Sequence, residues 1–204
     1  MGRRKGITSI DSRQSLTYPV SRLRIEGRLN MGKFQLKELS MMALIVASIF
    51  VLGYLLLPLM QMLPLPALRA LLVAPIYGSG VTLLTRKIDK FGTVTMLGLV
   101  IGALLSVFFI WMLIISLIGG FLTDVVIRLI FKGYASKRSI WIASGLFPAL
   151  QLPLAFIMVA YTIGGPSGEL IRHPLVVTLP TLVTFGLGYF TSKGLDRILS
   201  NRGL

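Results

Sequence analysis

Long uncharged apolar stretches, separated by short clusters of basic residues, dominate the chain after residue 38. The first stretch runs from Leu39 to Leu63 without a charged residue. A helix of that length exceeds the hydrocarbon core of a bilayer, which is about 30 Å thick. The second stretch runs from Ala67 to Thr85 and is interrupted by Pro75. We predict that both are membrane-spanning helices.

The next apolar stretch is too long for one span. Residues 92–123 are uncharged, and a single helix of that length would measure about 48 Å. A hairpin fits better, with a turn near Trp111–Leu113, because tryptophan favours the membrane interface. The fourth span then ends near Phe131. Two further spans are predicted at Ile140–Tyr161 and Leu175–Phe190, joined by a polar, glycine-rich loop. The predicted fold is an all-α membrane protein with six transmembrane helices.

Two parts of the chain differ in character. Residues 1–33 are polar and basic, and no short apolar segment follows their arginines, so they predict a cytoplasmic tail and not a signal peptide. Residues 34–204 form the predicted membrane domain. Met31 opens Met-Gly-Lys-Phe just before the first span, and a start there would leave residues 1–30 untranslated. An intact mass from the native host would distinguish the two starts.

The fraction and the distribution of charged residues are typical of a membrane protein. Only 14% of the residues are charged and 54% are hydrophobic, whereas soluble domains carry about a quarter charged residues. The net charge is +14, and 18 of the 21 lysines and arginines fall on one side of the six-span arrangement. The positive-inside rule then predicts that both termini are cytoplasmic and that the chain lies in the cell membrane. Because the bilayer accounts for the basic excess, we predict no nucleic-acid partner.

Several classes of chemistry are excluded by composition. The chain has no cysteine and one histidine, which excludes disulfides, thiolate metal sites and a multi-histidine site in one chain. It contains no G-x-x-x-x-G-K-S/T, G-x-S-x-G or H-E-x-x-H motif. We therefore predict a chain that is not an enzyme, holds no cofactor or metal, and does not itself hydrolyse ATP.

Asp124 is the one acidic residue inside a predicted span. Arg128 follows four residues later on the same helix face. One interpretation is a coupling or substrate-binding residue. The other, which we favour, is a structural ion pair near the cytoplasmic end, because an unpaired charge in the bilayer costs roughly 2.5–3.5 kcal/mol.

Small residues spaced four apart allow a close approach of helices. Ala43 and Ala47 form such a pair on the first span, and Gly98 and Gly102 form another on the third. Either pair can serve a partner subunit or packing within the chain.

Polar and aromatic residues gather at the predicted outer ends of the spans. Gln151 lies between Pro148 and Pro153, whose rings each free a backbone carbonyl. It predicts either a ligand cavity or a hydrogen bond between helices. Trp111 and Tyr161 are also typical of interfacial anchors. The loop residues are also typical of a solvated loop. The candidate substrate-binding residues are Gln61, Arg69, Trp111, Gln151, Tyr161, Glu169, Arg172 and His173.

Four segments together resemble a known family. They are Lys33-Phe-Gln-Leu-Lys-Glu-Leu, Lys87-Ile-Asp-Lys-Phe-Gly-Thr-Val-Thr-Met-Leu-Gly, Gly119-Gly-Phe-Leu-Thr-Asp-Val-Val-Ile and Lys132-Gly-Tyr-Ala-Ser-Lys-Arg. With the small pair on the first span, they resemble the S component, or substrate-binding subunit, of energy-coupling factor (ECF) transporters, in the Trep-Strep group. The resemblance covers about residues 33–195. It departs at Asp124, where the group leads us to expect glutamate.

The resemblance implies a function and partners. An S component binds a vitamin or similar small nutrient from outside and docks on a transmembrane scaffold subunit that carries two ATPases. It implies that Ala43 and Ala47 face the scaffold, and that the pocket lies among the outer polar residues. A stand-alone carrier or channel and a non-transport membrane scaffold are the alternatives, because fold analogy alone does not give function.

Overall fold

The computed structural model of the chain describes residues 34–63, 66–163 and 174–201, and all regular elements in these ranges are helical. The predicted all-α fold is confirmed for them. The predicted tail at residues 1–33 and most of the loop between the last two helices lie outside the described residues. The helices are α1 Leu36–Leu55, α2 Leu57–Gln61, α3 Pro66–Lys87, α4 Thr93–Leu105, α5 Trp111–Phe131, α6 Lys137–Ile163 and α7 Pro174–Asn201.

Five of these helices are long and apolar enough to cross a membrane, namely α1, α3, α5, α6 and α7. The third predicted span is the exception. Helix α4 has 13 residues and is therefore about 20 Å long, short of the hydrocarbon core. Six full spans and the cytoplasmic placement of the termini stay predictions.

The uncharged stretch at residues 92–123 does fold as a hairpin of α4 and α5. Its turn occupies residues 106–110, immediately before the predicted position at Trp111–Leu113. Trp111 is the first residue of α5. A Cβ on Gly98 would lie 2.4 Å from the Ser116 carbonyl oxygen, and one on Gly102 would lie 2.9 Å from the Leu113 Cα. These glycines therefore pack α4 on α5, which is the intramolecular alternative for this pair.

Helices α3, α6 and α7 also meet at glycines. A Cβ on Gly78 would lie 3.0 Å from the Gly188 Cα, and one on Gly188 would lie 2.6 Å from the Ser144 carbonyl oxygen. The buried face of α7 consists of small or polar residues four apart: Thr184, Gly188, Ser192 and Asp196. This spacing keeps one face of α7 against its neighbours over three turns.

A cluster of three buried hydroxyls, Thr82, Ser144 and Ser192, lies beside this glycine contact. The Thr82 hydroxyl is 2.9 Å from the Ser144 hydroxyl and donates to the Ser192 hydroxyl at 2.7 Å. The Ser144 hydroxyl lies 2.8 Å from the Ile140 carbonyl oxygen, to which it donates. The hydroxyl cluster therefore joins α3, α6 and α7 with satisfied hydrogen bonds.

Charged residues collect at one end of the bundle, which we call the basic end. All described lysines and arginines except Arg69 lie at the helix ends and loops of this end. Its ion pairs are Lys90 with Glu38 at 2.8 Å, Arg86 with Asp196 at 3.2 Å and Lys137 with Asp196 at 3.9 Å. The other end, which carries Arg69, is called the opposite end.

Helix α1 is peripheral. It buries Met42, Val46 and Ile49, whereas Ala43 and Ala47 are exposed. Its contact with α3 is close, since a Cβ on Gly80 of α3 would lie 2.4 Å from the Ile49 Cδ1 atom. The small pair is thus not used for packing within the described part of the chain.

Candidate functional site

The buried carboxylate of Asp124 is the most highly bonded acid in the described structure. It accepts hydrogen bonds from the Thr95 amide at 2.7 Å, the Thr95 hydroxyl at 2.6 Å and the Val94 amide at 3.4 Å. The Tyr134 hydroxyl donates a further, short hydrogen bond to it. The N-cap of α4 is Gly92, which has no side chain to cap the helix, so a carboxylate from α5 satisfies the first amides instead.

The predicted ion pair between Asp124 and Arg128 is wrong for this structure. The guanidinium carbon of Arg128 lies 4.9 Å from the centroid of the Phe91 ring, and no ion pair joins it to Asp124 in the described residues. The reason is orientation: Asp124 points into the contact with α4, whereas Arg128 is exposed. A structural role for Asp124 remains, with a helix N-terminus in place of the arginine.

Tyr134 extends this arrangement into the loop between α5 and α6. Its backbone amide donates to the Asp89 carboxylate at 2.8 Å. Burial, followed by the negative charge of Asp124, raises the pKa of the Tyr134 hydroxyl. The hydroxyl therefore stays a neutral donor to Asp124 at physiological pH, and the backbone amide of Tyr134 joins its loop to the loop between α3 and α4.

The predicted substrate-binding residues of the opposite end do not converge in the described structure. Gln61 is exposed, Tyr161 is 88% exposed and Trp111 is half-buried. Arg69 is exposed, and its Nε and Nη2 atoms donate to the Leu63 carbonyl oxygen at 3.2 and 3.1 Å. No hydrogen bond or ion pair joins any two of these four residues within the described ranges. Three further candidates lie outside the described residues: Glu169, Arg172 and His173.

Gln151 is the predicted residue that reaches the interior. Its Cγ atom lies 3.1 Å from where a Cβ on Gly119 of α5 would stand. The amide Nε2 is buried and has no hydrogen-bond partner among the described residues. The predicted hydrogen bond between helices is therefore not formed by this nitrogen, and the ligand cavity stays a prediction.

Two polar residues that the sequence analysis did not single out also lack a hydrogen-bond partner among the described residues: Thr184, which is buried, and Tyr77, which is half-buried. Thr184 of α7 is 1% exposed, and its hydroxyl has no hydrogen-bond partner in the part of the chain that the structure describes. Tyr77 of α3 packs edge-on against the Phe147 ring at 6.0 Å, and its hydroxyl forms no hydrogen bond among the described residues. The four-residue spacing of small residues in α7 was the available signal for Thr184. We refer to Tyr77, Gln151 and Thr184 as the unpartnered polar set.

Acidic and histidine side chains do not form a metal-binding group in the described ranges. No group of three or more histidine, aspartate or glutamate side chains there could hold a metal ion. The described acids are instead engaged: Glu38 and Asp196 in ion pairs, and Asp89 and Asp124 in hydrogen bonds.

Comparison with known proteins gives one match. The model of the Trep_Strep family, described as a hypothetical bacterial integral membrane protein, matches residues 39–165, which run from α1 to beyond α6. No curated protein and no solved structure matches the chain. The family description supports a multi-pass membrane protein and names no activity.

Proposed function

Because the chain belongs to the Trep_Strep family of bacterial integral membrane proteins, we propose that it is the substrate-binding S component of an ATP-driven, ECF-type uptake transporter. Its cargo would be a vitamin or similar small nutrient, and its place the cell membrane. Its partners would be a transmembrane scaffold subunit and two ATPase subunits. The chain has no phosphate-binding motif of its own, so ATP-driven uptake would require such partners.

The observation that carries this proposal is the exposed small pair on α1. Ala43 and Ala47 are exposed on the flank of α1 next to Met42 and Val46, which are buried. Packing against a lipid tail does not require small residues, whereas a neighbouring helix approaches closest over them. The exposed pair therefore favours a docking face for a membrane partner, as the resemblance to S components implies.

A stand-alone secondary carrier or channel is the second candidate. Carriers that couple transport to an ion use acids within the membrane. Asp124 could serve only by giving up its hydrogen bonds to Thr95 and Tyr134. Ion-driven uptake into proteoliposomes that contain this chain alone would support the carrier. A non-transport scaffold, the third candidate, would bind no small molecule.

The orientation is part of the proposal, with the basic end in the cytoplasm. The chain lacks cysteine, so single cysteines can report on each end. A membrane-impermeant maleimide on intact cells should label Gln61→Cys and spare Lys132→Cys, both of which replace exposed residues. The reverse labelling would refute the orientation.

The decisive experiment is affinity purification of the tagged chain from native membranes in mild detergent, followed by mass spectrometry. We expect recovery of two ATPases and a second membrane subunit. Ala43→Leu and Ala47→Leu should reduce this recovery about tenfold, because leucine blocks close helix approach. The matched control is Ala103→Leu, which changes an exposed alanine on α4.

Two results would count against the proposal. Recovery of the chain alone, under conditions that preserve a known ECF complex, would favour the stand-alone carrier. Normal recovery of partners by both α1 variants would refute the docking face and leave the transporter assignment standing.

A further inference from the structure

A closed layer divides the interior where α3, α6 and α7 meet. It is formed by the edge-on rings of Tyr77 and Phe147 and by the contact of Gly78 with Gly188. Toward the basic end from this layer, each hydroxyl of the hydroxyl cluster has at least one hydrogen-bond partner. On the other side of the layer, buried polar groups lack partners.

Gln151 and Thr184 lie on the same side of this layer. Gln151 follows Phe147 by four residues on α6, and Thr184 precedes Gly188 by four residues on α7. Lys137 reaches Asp196 while Ser144 lies at Gly188, so α6 and α7 are antiparallel. Both residues therefore lie beyond the layer in the same direction, with Thr184 level with Pro148 and Gln151 about 4.5 Å further along α6. Tyr77 lies in the layer itself and adds a residue of α3 to those of α6 and α7.

These unsatisfied groups call for an explanation. Buried polar atoms in folded proteins nearly always have hydrogen-bond partners, because losing water without replacement is costly. Each of the three helices also carries a proline on this side of the layer: Pro75, Pro148 and Pro180. A proline inside a helix removes one backbone hydrogen bond and leaves a carbonyl free one turn back. For Pro75 and Pro180 the freed carbonyls belong to Leu71 and Val176, on this side of the layer, which thus offers both donors and acceptors.

We propose that the unpartnered polar set forms the inner wall of a buried site for a small, uncharged molecule with hydrogen-bonding groups. The set itself carries no charge. Arg69, the described basic residue outside the basic end, is exposed and donates to Leu63. A buried charged ligand would therefore meet no counter-charge among the described residues, which is unfavourable.

This inference deepens the proposed function, because the bound molecule would be the transported substrate. The site itself rests on the unpartnered groups and would equally serve a stand-alone carrier.

The first test compares the melting temperatures of purified variants in detergent. Thr184→Val and Gln151→Leu should leave the melting temperature of the ligand-free chain unchanged or raise it by about 2–4 °C, because no hydrogen bond is lost. The matched control, Thr82→Val, removes a bonded hydroxyl at the same three helices and should lower it. A fall in Thr184→Val equal to that in Thr82→Val would overturn the proposal.

The second test identifies what the chain carries. Small molecules released by denaturing the chain, purified from native membranes, are measured by mass spectrometry. We expect one uncharged compound, reduced at least tenfold in the double variant Thr184→Val/Gln151→Leu and retained in Ser48→Ala, which changes an exposed hydroxyl on α1. A retained anion, no retained compound, or equal retention in the double variant would overturn the site.

Recovery of the ATPases is scored in the same preparations. A wild-type chain that keeps an uncharged compound but brings no ATPase would refute the transporter proposal and support the site. Recovery of the ATPases with an anion as the retained compound would do the reverse.

Discussion

The two sides of the packing among α3, α6 and α7 differ in how their buried threonine hydroxyls are bonded, although the indole nitrogen of Trp141, toward the basic end, is also buried without a hydrogen-bond partner among the described residues. Toward the basic end, Thr82 bonds to Ser192 and Asp196 pairs with Arg86. Away from it, Thr184 and the Gln151 amide nitrogen are buried without partners. The internal prolines of these three helices all lie on the second side.

This difference indicates that the two ends of the same three helices have different roles. Satisfied hydrogen bonds and ion pairs fix helices relative to one another, because breaking one partner leaves the other unsatisfied. Unsatisfied groups and interrupted backbone hydrogen bonds weaken that constraint and leave groups for another molecule to satisfy. The bonded side is suited to hold the fold, and the unbonded side to bind.

The largest expected effect comes from removing the acid that caps α4. Asp124→Ala should lower the free energy of unfolding by about 3 kcal/mol or more, because the Thr95 amide and hydroxyl and the Tyr134 hydroxyl lose their acceptor. The melting temperature should fall by about 6–12 °C. Thermal unfolding in detergent measures this directly.

Arg128→Ala is the control for that variant. It should change the free energy of unfolding by less than about 1 kcal/mol, since Arg128 stacks on Phe91 at the surface. The double variant should be additive, because residues without a shared interaction show little coupling. A coupling energy above about 1 kcal/mol would show that Asp124 and Arg128 interact, as the predicted ion pair requires.

The next effect tests the glycine contact that separates the two sides. Gly188→Ala should destabilise by about 1–3 kcal/mol, because its Cβ would lie 2.6 Å from the Ser144 carbonyl oxygen, a backbone atom. Gly186→Ala, on the same helix, meets nothing within 4 Å and should be neutral or stabilise by up to about 1 kcal/mol. If both variants melt at the wild-type temperature, the contact is looser than described.

The smallest effect compares two threonines at the same helix junction. Thr82→Val should cost about 1–2 kcal/mol, because the Ser144 and Ser192 hydroxyls lose a partner. Thr184→Val should cost nothing in the ligand-free chain, since its hydroxyl is unpartnered. Equal losses measured by thermal unfolding would remove the distinction between the two sides.

Much of the fold was predictable from the lengths of the uncharged stretches, but the third span was not. Residues 92–123 contain no charge to mark a turn, and the turn at 106–110 contains no glycine or proline. Its place follows from the pairing of Gly102 with Leu113, which fixes where α4 can lie along α5. The turn predicted at Trp111–Leu113 lies slightly too late in the sequence, because Trp111 is already the first residue of α5.

The candidate site was predictable only where one residue carried the signal. Gln151 stood out as a glutamine between two prolines in an apolar span. Thr184 and Tyr77 did not, because threonine and tyrosine are unremarkable in a membrane helix until the absence of a partner is seen. The role of Asp124 was likewise half predictable: a lone acid had to be paired, but its partner Thr95 lies 29 residues earlier in the sequence.

The sequence by itself determined that this protein is an α-helical membrane protein, since only helices satisfy the backbone of such long apolar stretches in lipid. It also determined that charge would gather at one end and that Ala43 and Ala47 form a small pair. The tertiary structure alone decided which polar groups find partners, because hydrogen bonding between distant helices depends on their register and rotation. The same chemistry, a threonine hydroxyl, is bonded at Thr82 and unbonded at Thr184 for that reason.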